Sequence, residues 1–148
     1  MKKIGLVGII LLGIMIIIAI MSAGKMGETS HAFAEGRVIL DARLADQAKT
    51  VETLFIVMSE EGKPMPLGAL RKSVKMKQDG ELYRFLLTRD NMQMMMGNQD
   101  VPEYFKLKAR LDRDGQAGPD QSGDLVGEVV GVKRGQRGIE IQISRIVP

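Results

Sequence analysis

Apolar residues recur along this chain in short stretches broken by glycine, proline and acidic turns, the rhythm of an all-β protein, either a sandwich or a small barrel. The clearest stretch is Glu103 to Leu111 (EYFKLKARL), where Phe105, Leu107, Ala109 and Leu111 fall on one face of a strand and Tyr104 on the other. Gly138 to Val147 (GIEIQISRIV) alternates at Ile139, Ile141 and Ile143 and resumes at Ile146 after a slip of one residue, which predicts a bulge or an end-of-strand bend. Further strands are predicted at Arg37 to Asp41, Thr53 to Ser59, Leu67 to Met76, Glu81 to Leu87 and Leu125 to Val132. A helix fits only Ala42 to Thr50, where Ala, Leu and Gln gather behind Asp41. Asp112 to Gly123, dense in Gly, Asp and Pro, predicts a turn region.

One stretch has neither period. From Ile4 to Ala23 the chain is uncharged and free of proline, 20 residues that would span about 30 Å as a helix, the depth of a bilayer's hydrocarbon core. This predicts a single-pass membrane anchor over residues 1–24. Lys2 and Lys3 place its N-terminus on the cytoplasmic side and the rest of the chain in the periplasm. The competing reading is a cleaved signal peptide, because Ala32-Phe33-Ala34 has the small-x-small form of a cleavage site, and cleavage after Ala34 would release the chain into the same compartment. The length of the apolar run favours the anchor. Gly24 to Gly36 is polar and glycine-bearing, so residues 25–36 read as a linker and 37–148 as one domain.

Charge adds little beyond solubility. Arg37 onward carries 18 basic against 16 acidic residues, a mixed surface that gives no case for nucleic acid. Candidate chemistry is equally sparse. There is no cysteine, and the single histidine, His31, lies in the linker, so Ser-His-Asp and Cys-His catalysis are excluded from the domain. Asp112-Arg113-Asp114-Gly115 has the beginning of a calcium loop but not its later ligands, and reads as a turn in which Gly115 supplies a positive φ. The expectation is a chain that is not an enzyme and that carries no cofactor.

The methionines are the exception. Asn91 to Gly97 (NMQMMMG) holds four of them, and thioethers are soft ligands suited to Cu(I). Met92, Met94 and Met96 would share a face of a strand, with Met95 beside them, so a periplasmic Cu(I)-binding protein is the alternative reading. Against it, methionine readily fills irregular gaps in a core that has only 4% aromatic residues.

Read from Arg37, several blocks taken together resemble a known family: RVILDARLADQ, LFIVMSEEGKPMPLGALRK, LLTRDNMQM and LKARLDRDGQAGPDQSGDLVGE. Their order and spacing are similar to the C-terminal domain of the CycH/CcmI-type cytochrome c biogenesis proteins. The most specific block is Gly62-Lys63-Pro64-Met65-Pro66-Leu67 with Arg71 following. Ala109, Arg110, Gly115 and Ala117 match a second motif, and Gly123, Asp124 and Leu125 a third. The resemblance implies an immunoglobulin-like β-sandwich in the periplasm. It also implies a membrane-anchored accessory or scaffold role in c-type cytochrome maturation, through binding rather than catalysis, with the haem ligation components or apocytochrome c as partners. The family's tetratricopeptide repeats have no counterpart here, since residues 25–36 are too few for one repeat. The same resemblance implies that Met92 and Met94 are packing residues, which leaves Met95 and Met96 as the extra thioethers.

Overall fold

Each predicted strand has a counterpart in a computed structural model, which describes residues 31–75, 80–95, 97 and 100–148. The strands are β1 (Ala34–Leu40), β2 (Thr53–Ser59), β3 (Pro66–Ser73), β4 (Glu81–Leu87), β5 (Gln93–Met94), β6 (Tyr104–Asp112), β7 (Leu125–Lys133), β8 (Gln136–Ile143) and β9 (Arg145–Ile146). One sheet has the order β4-β1-β8 and the other β5-β3-β2-β6-β7-β9. Strands β1 and β8 run parallel, and every other pairing is antiparallel. The predicted anchor, residues 1–24, lies outside the described residues, and among those described no helix is long and apolar enough to cross a membrane.

The core fills the space between the sheets. From the smaller sheet come Val38, Phe85, Leu87, Ile139, Ile141 and Ile143; from the larger come Leu54, Ile56, Met58, Phe105, Leu107, Ala109 and Leu111. The alternation in β6 and β8 therefore sorts side chains as expected. Each large side chain removed from water in this way contributes about 1.5–3 kcal/mol.

One close approach of backbone and one crossing of the chain fix how the sheets meet. A Cβ on Gly127 of β7 would lie 1.9 Å from the carbonyl oxygen of Gln142 in β8, so only glycine lets the two strands touch there. The slip expected near Ser144 marks the end of a strand and not a bulge. The chain leaves the smaller sheet at Ile143 and joins the larger one as β9, pairing Leu125 with Ile146 and Val126 with Arg145. The change of phase is a change of sheet.

Three other expectations are revised. The first strand starts at Ala34, not Arg37, so residues 34–36 belong to the β domain. Phe33 and Ala34 are buried, the Phe33 N–H donates to the Leu87 carbonyl (2.7 Å), and the Gly135 N–H donates to the Phe33 carbonyl (2.8 Å). The helix shrinks to a 3₁₀ turn (Ala42–Leu44) running into α1 (Ala45–Ala48), with the Asp41 side chain accepting the Arg43 N–H at its start. The Arg43 guanidinium, together with that bond, holds the Asp41 carboxyl down at about 2. Finally, the methionine stretch forms only a two-residue strand, β5, in which Gln93 and Met94 pair with Ala69 and Gly68 at the edge of the larger sheet.

Candidate functional site

The outer face of the larger sheet follows from its register. Strand β2 turns Leu54, Ile56 and Met58 into the core, so Phe55, Val57 and Ser59 face outward. Across the sheet Phe55 stands between Arg71 and Arg110, Val57 between Ala69 and Lys108, and Ser59 opposite Lys106. Phe55 is only 4% exposed although it lies outside the core cluster. Something on the outer face must cover it.

The cover begins with Arg110, whose guanidinium carbon lies 5.1 Å from the centre of the Phe55 ring. This arginine is itself buried and pins the loop that joins β6 to β7. It donates to the carbonyls of Gly118 (2.7 Å) and Gln116 (3.4 Å) and to Asp120 (3.3 Å), and it forms ion pairs with Asp112 (3.0 Å) and Asp124 (3.8 Å). The loop is tied down at its base as well. Asp112 accepts the Gly115 N–H (2.7 Å), Asp114 accepts the Gln116 N–H (2.8 Å), and Asp124 accepts the Gln121 N–H (2.9 Å). The Asp112 to Gly115 stretch is thus a turn, with Gly115 at φ +70. A Cβ there would also crowd Thr53 Oγ1 at 3.3 Å and Arg71 Nη2 at 3.4 Å.

The carboxyls of this loop divide by environment. Burial raises Asp112 above the usual carboxylate range, reinforced by a hydrogen bond shared with Asp114, and the Gly115 N–H and Arg110 only partly offset this. Burial acts on Asp120 in the same sense, but hydrogen bonds from Lys108 and Arg110 outweigh it and lower that group. Asp114 is lowered, chiefly by the Gln116 N–H.

With the loop held against the sheet, a groove opens between it and the edge strand. One part, of about 580 Å³, is lined by Val57, Lys63, Pro64, Pro66, Ala69, Met95, Lys106, Lys108, Arg110 and the Ala117 to Asp120 wall. A second part, of about 430 Å³, shares Phe55, Ala69, Met95 and Ala117 with the first and reaches Arg71, Lys72, Asn91, Gln93 and Gly115. The groove therefore carries five outward basic side chains, from Lys63, Arg71, Lys106, Lys108 and Arg110, with Lys72 at its edge, and Asp120 is the one acid in its lining. Lys108 bonds Asp120, Lys63 pairs with Glu60, and Lys106 stands 3.9 Å from Glu128. Arg71 makes no ion pair among the described residues.

A larger hollow, of about 680 Å³, lies on the outer face of the smaller sheet. Its charges neutralise one another through Arg37–Glu140 (2.7 Å), Arg84–Glu81 (3.0 Å) and Arg137–Glu35 (3.4 Å), so it offers an incoming group little.

The residues singled out from sequence sort clearly around the groove. Pro64 and Pro66 line one end, Met65 is 58% exposed beside them, Gly62 takes φ +76 in the preceding turn, and Leu67 packs back against the core. Arg71 and Gly115 line the other end and Arg110 the middle. Gly123 and Asp124 close the base of the loop, where the Gly123 N–H donates to the Val147 carbonyl (2.8 Å) and the Val147 N–H to that of Asp124 (2.8 Å). The methionines part company. Met92 is in the core and Met94 packs against it, both over Gly68, whereas Met95 is 43% exposed and lines the groove; Met96 lies outside the described residues. A site built from Met92, Met94 and Met95 together is not assembled by this arrangement. Phe55, Val57, Lys106 and Lys108 were missed from sequence, because TLFIVMS is apolar on both faces and the lysines look like ordinary solvated positions.

No curated protein and no solved structure matches the chain. A family model does: cytochrome c-type biogenesis protein H Ig-like domain, over residues 35–144. That match runs from the first strand to the sheet-switching Ser144 and takes in every motif residue around the groove. The chain belongs to the family of the cytochrome c-type biogenesis protein H Ig-like domain.

Proposed function

We propose that this chain is a non-catalytic accessory protein of c-type cytochrome maturation, anchored in the inner membrane by residues 1–24, whose Ig-like domain docks a protein partner in the periplasm. The observation that carries the reading is the convergence of three separate motif blocks on one basic, apolar-floored groove: residues of Gly62 to Arg71 and of Arg110 to Gly115 line it, and Gly123-Asp124 closes the base of the loop that walls it. Residues with no catalytic partner are placed there by folding, and their common product is a shaped surface. The domain holds no histidine beyond the exposed His31 at its margin and no cysteine, which supports binding over chemistry. The anchor is favoured over a signal peptide cut after Ala34, because that cut would remove the buried Phe33 and both of its backbone hydrogen bonds. The haem ligation components or apocytochrome c are the partners this role calls for. A short tether to the membrane would raise the domain's effective concentration at such partners.

The test is genetic. Deleting the gene lowers haem-stained c-type cytochromes in membranes, and the full chain on a plasmid restores them. Normal cytochrome levels in the deletion strain would overturn the assignment.

A further inference from the structure

The charge and shape of the groove define what fits it. Its floor runs along β2 from Phe55 to Ser59, about 13 Å at the rise of a strand, which matches four to five residues of extended chain. Cationic groups stand at both ends: Arg71 at one, Lys63 and Lys106 at the other. Between them Val57, Ala69, Met95 and Ala117 give an apolar strip, beside the buried Arg110 and the mutually paired Lys108 and Asp120.

We infer that the groove binds an extended polypeptide segment with acidic side chains four residues apart and an apolar side chain midway between them. In an extended chain, positions i, i+2 and i+4 share one face. Carboxylates at i and i+4 therefore reach the two cationic ends while the residue at i+2 meets the floor. Arg71 is the chief anchor, since its planar fork can bind a carboxylate through two hydrogen bonds and no ion pair among the described residues engages it. A planar anionic membrane is the poorer occupant. Most of the lysines already have carboxylate neighbours, and the floor lies between the loop wall and Met95, a concave shape that suits an extended chain better than a planar surface.

This inference rests on the docking role proposed above and specifies the partner's chemistry. The test uses the full chain in detergent and a fluorescein-labelled peptide with the core Glu-Ser-Leu-Ser-Glu, read by fluorescence anisotropy. Replacing both peptide glutamates by Gln, or the Leu by Ser, is expected to weaken binding. The Arg71→Glu variant, checked for an unchanged thermal melt, is expected to weaken it at least about tenfold, and Lys106→Glu to weaken it less. Equal affinity for the Gln peptide, or an unchanged affinity in Arg71→Glu, overturns the inference. So does full competition by phosphatidylglycerol doped into the detergent micelles with none by unlabelled peptide, which would make the face a membrane-binding one. The two proposals fail separately. If Arg71→Glu leaves peptide binding intact while the deletion strain lacks cytochromes, the groove assignment falls alone; if the peptide binds through Arg71 but cytochromes are normal, the maturation role falls alone.

Discussion

Replacing Arg110 by Ala tests whether the buried charge cluster holds the loop. The side chain is 4% exposed, and Asp112 and Asp124 beside it are 2% and 3% exposed, so the substitution leaves two buried carboxylates without their counter-charge. Breaking a buried pair from one side costs about 3–5 kcal/mol. The low end applies here, because Asp112 keeps the Gly115 N–H and Asp124 keeps the Gln121 N–H. A loss of about 3 kcal/mol corresponds to a fall in Tm of about 10 °C for a domain of this size. The loss should also depend on pH. Asp112 is already raised by folding, so its protonated form favours the fold on the acid side of the ordinary carboxyl value, and that stability is lost as pH rises through its folded value. Removing Arg110 takes away a charge that lowers Asp112, which moves this loss further up the pH scale. Urea unfolding of Arg110→Ala should therefore show a larger deficit at pH 7 than at pH 4.5, and adding Asp112→Asn should recover part of it at pH 7. A deficit under about 1 kcal/mol, or one equal at both pH values, would refute the view that uncompensated burial is the cost.

Two further outcomes follow from packing. Gly127→Ala should cost upward of about 3 kcal/mol by thermal melt, because the backbone of β8 must move to admit a methyl group; Gly131→Ala, with open space around it but φ +65, should cost only about 1 kcal/mol. Among the described methionines of the cluster, peroxide should oxidise Met95 well before Met92 in peptide mass spectrometry, and Met92→Ala should cost about 2–5 kcal/mol while Met95→Ala costs little. Equal oxidation of Met92 and Met95 would contradict their placement on opposite sides of the sheet.

The sequence made one face of each strand legible and left the other hard to read. In β6 the period of two identifies Phe105, Leu107, Ala109 and Leu111 as core, since a strand in a two-layer fold has one inner face. The same period puts Arg110 on the outer face, where a charged residue looks solvated. Its burial comes from the loop folding back over Phe55, a contact between distant segments that no local pattern encodes. Strand β2 fails differently: its unbroken apolar run from Leu54 to Met58 conceals that Phe55 and Val57 face outward. Strand β5 is two residues long, too short for any period, and its place beside β3 depends on Gly68 leaving room for Met92 and Met94. The motif residues could be located as a group, but whether they support the fold or meet a partner depends on geometry.

Arg71 separates those two roles. Arg110, Gly115, Gly123 and Asp124 all have structural work, since each either pins the loop, turns it or closes its base. Their loss would impair docking only by letting the wall of the groove collapse. Arg71 belongs to the same motif set and lines the same groove, yet no ion pair or hydrogen bond among the described residues explains it through folding. A strand position that needed only solubility could carry lysine, glutamate or threonine equally well. A guanidinium held beside the turn at Gly115, above an apolar floor, is what a surface requires to receive a carboxylate. Stability and docking should therefore come apart at Arg71 and fall together at Arg110.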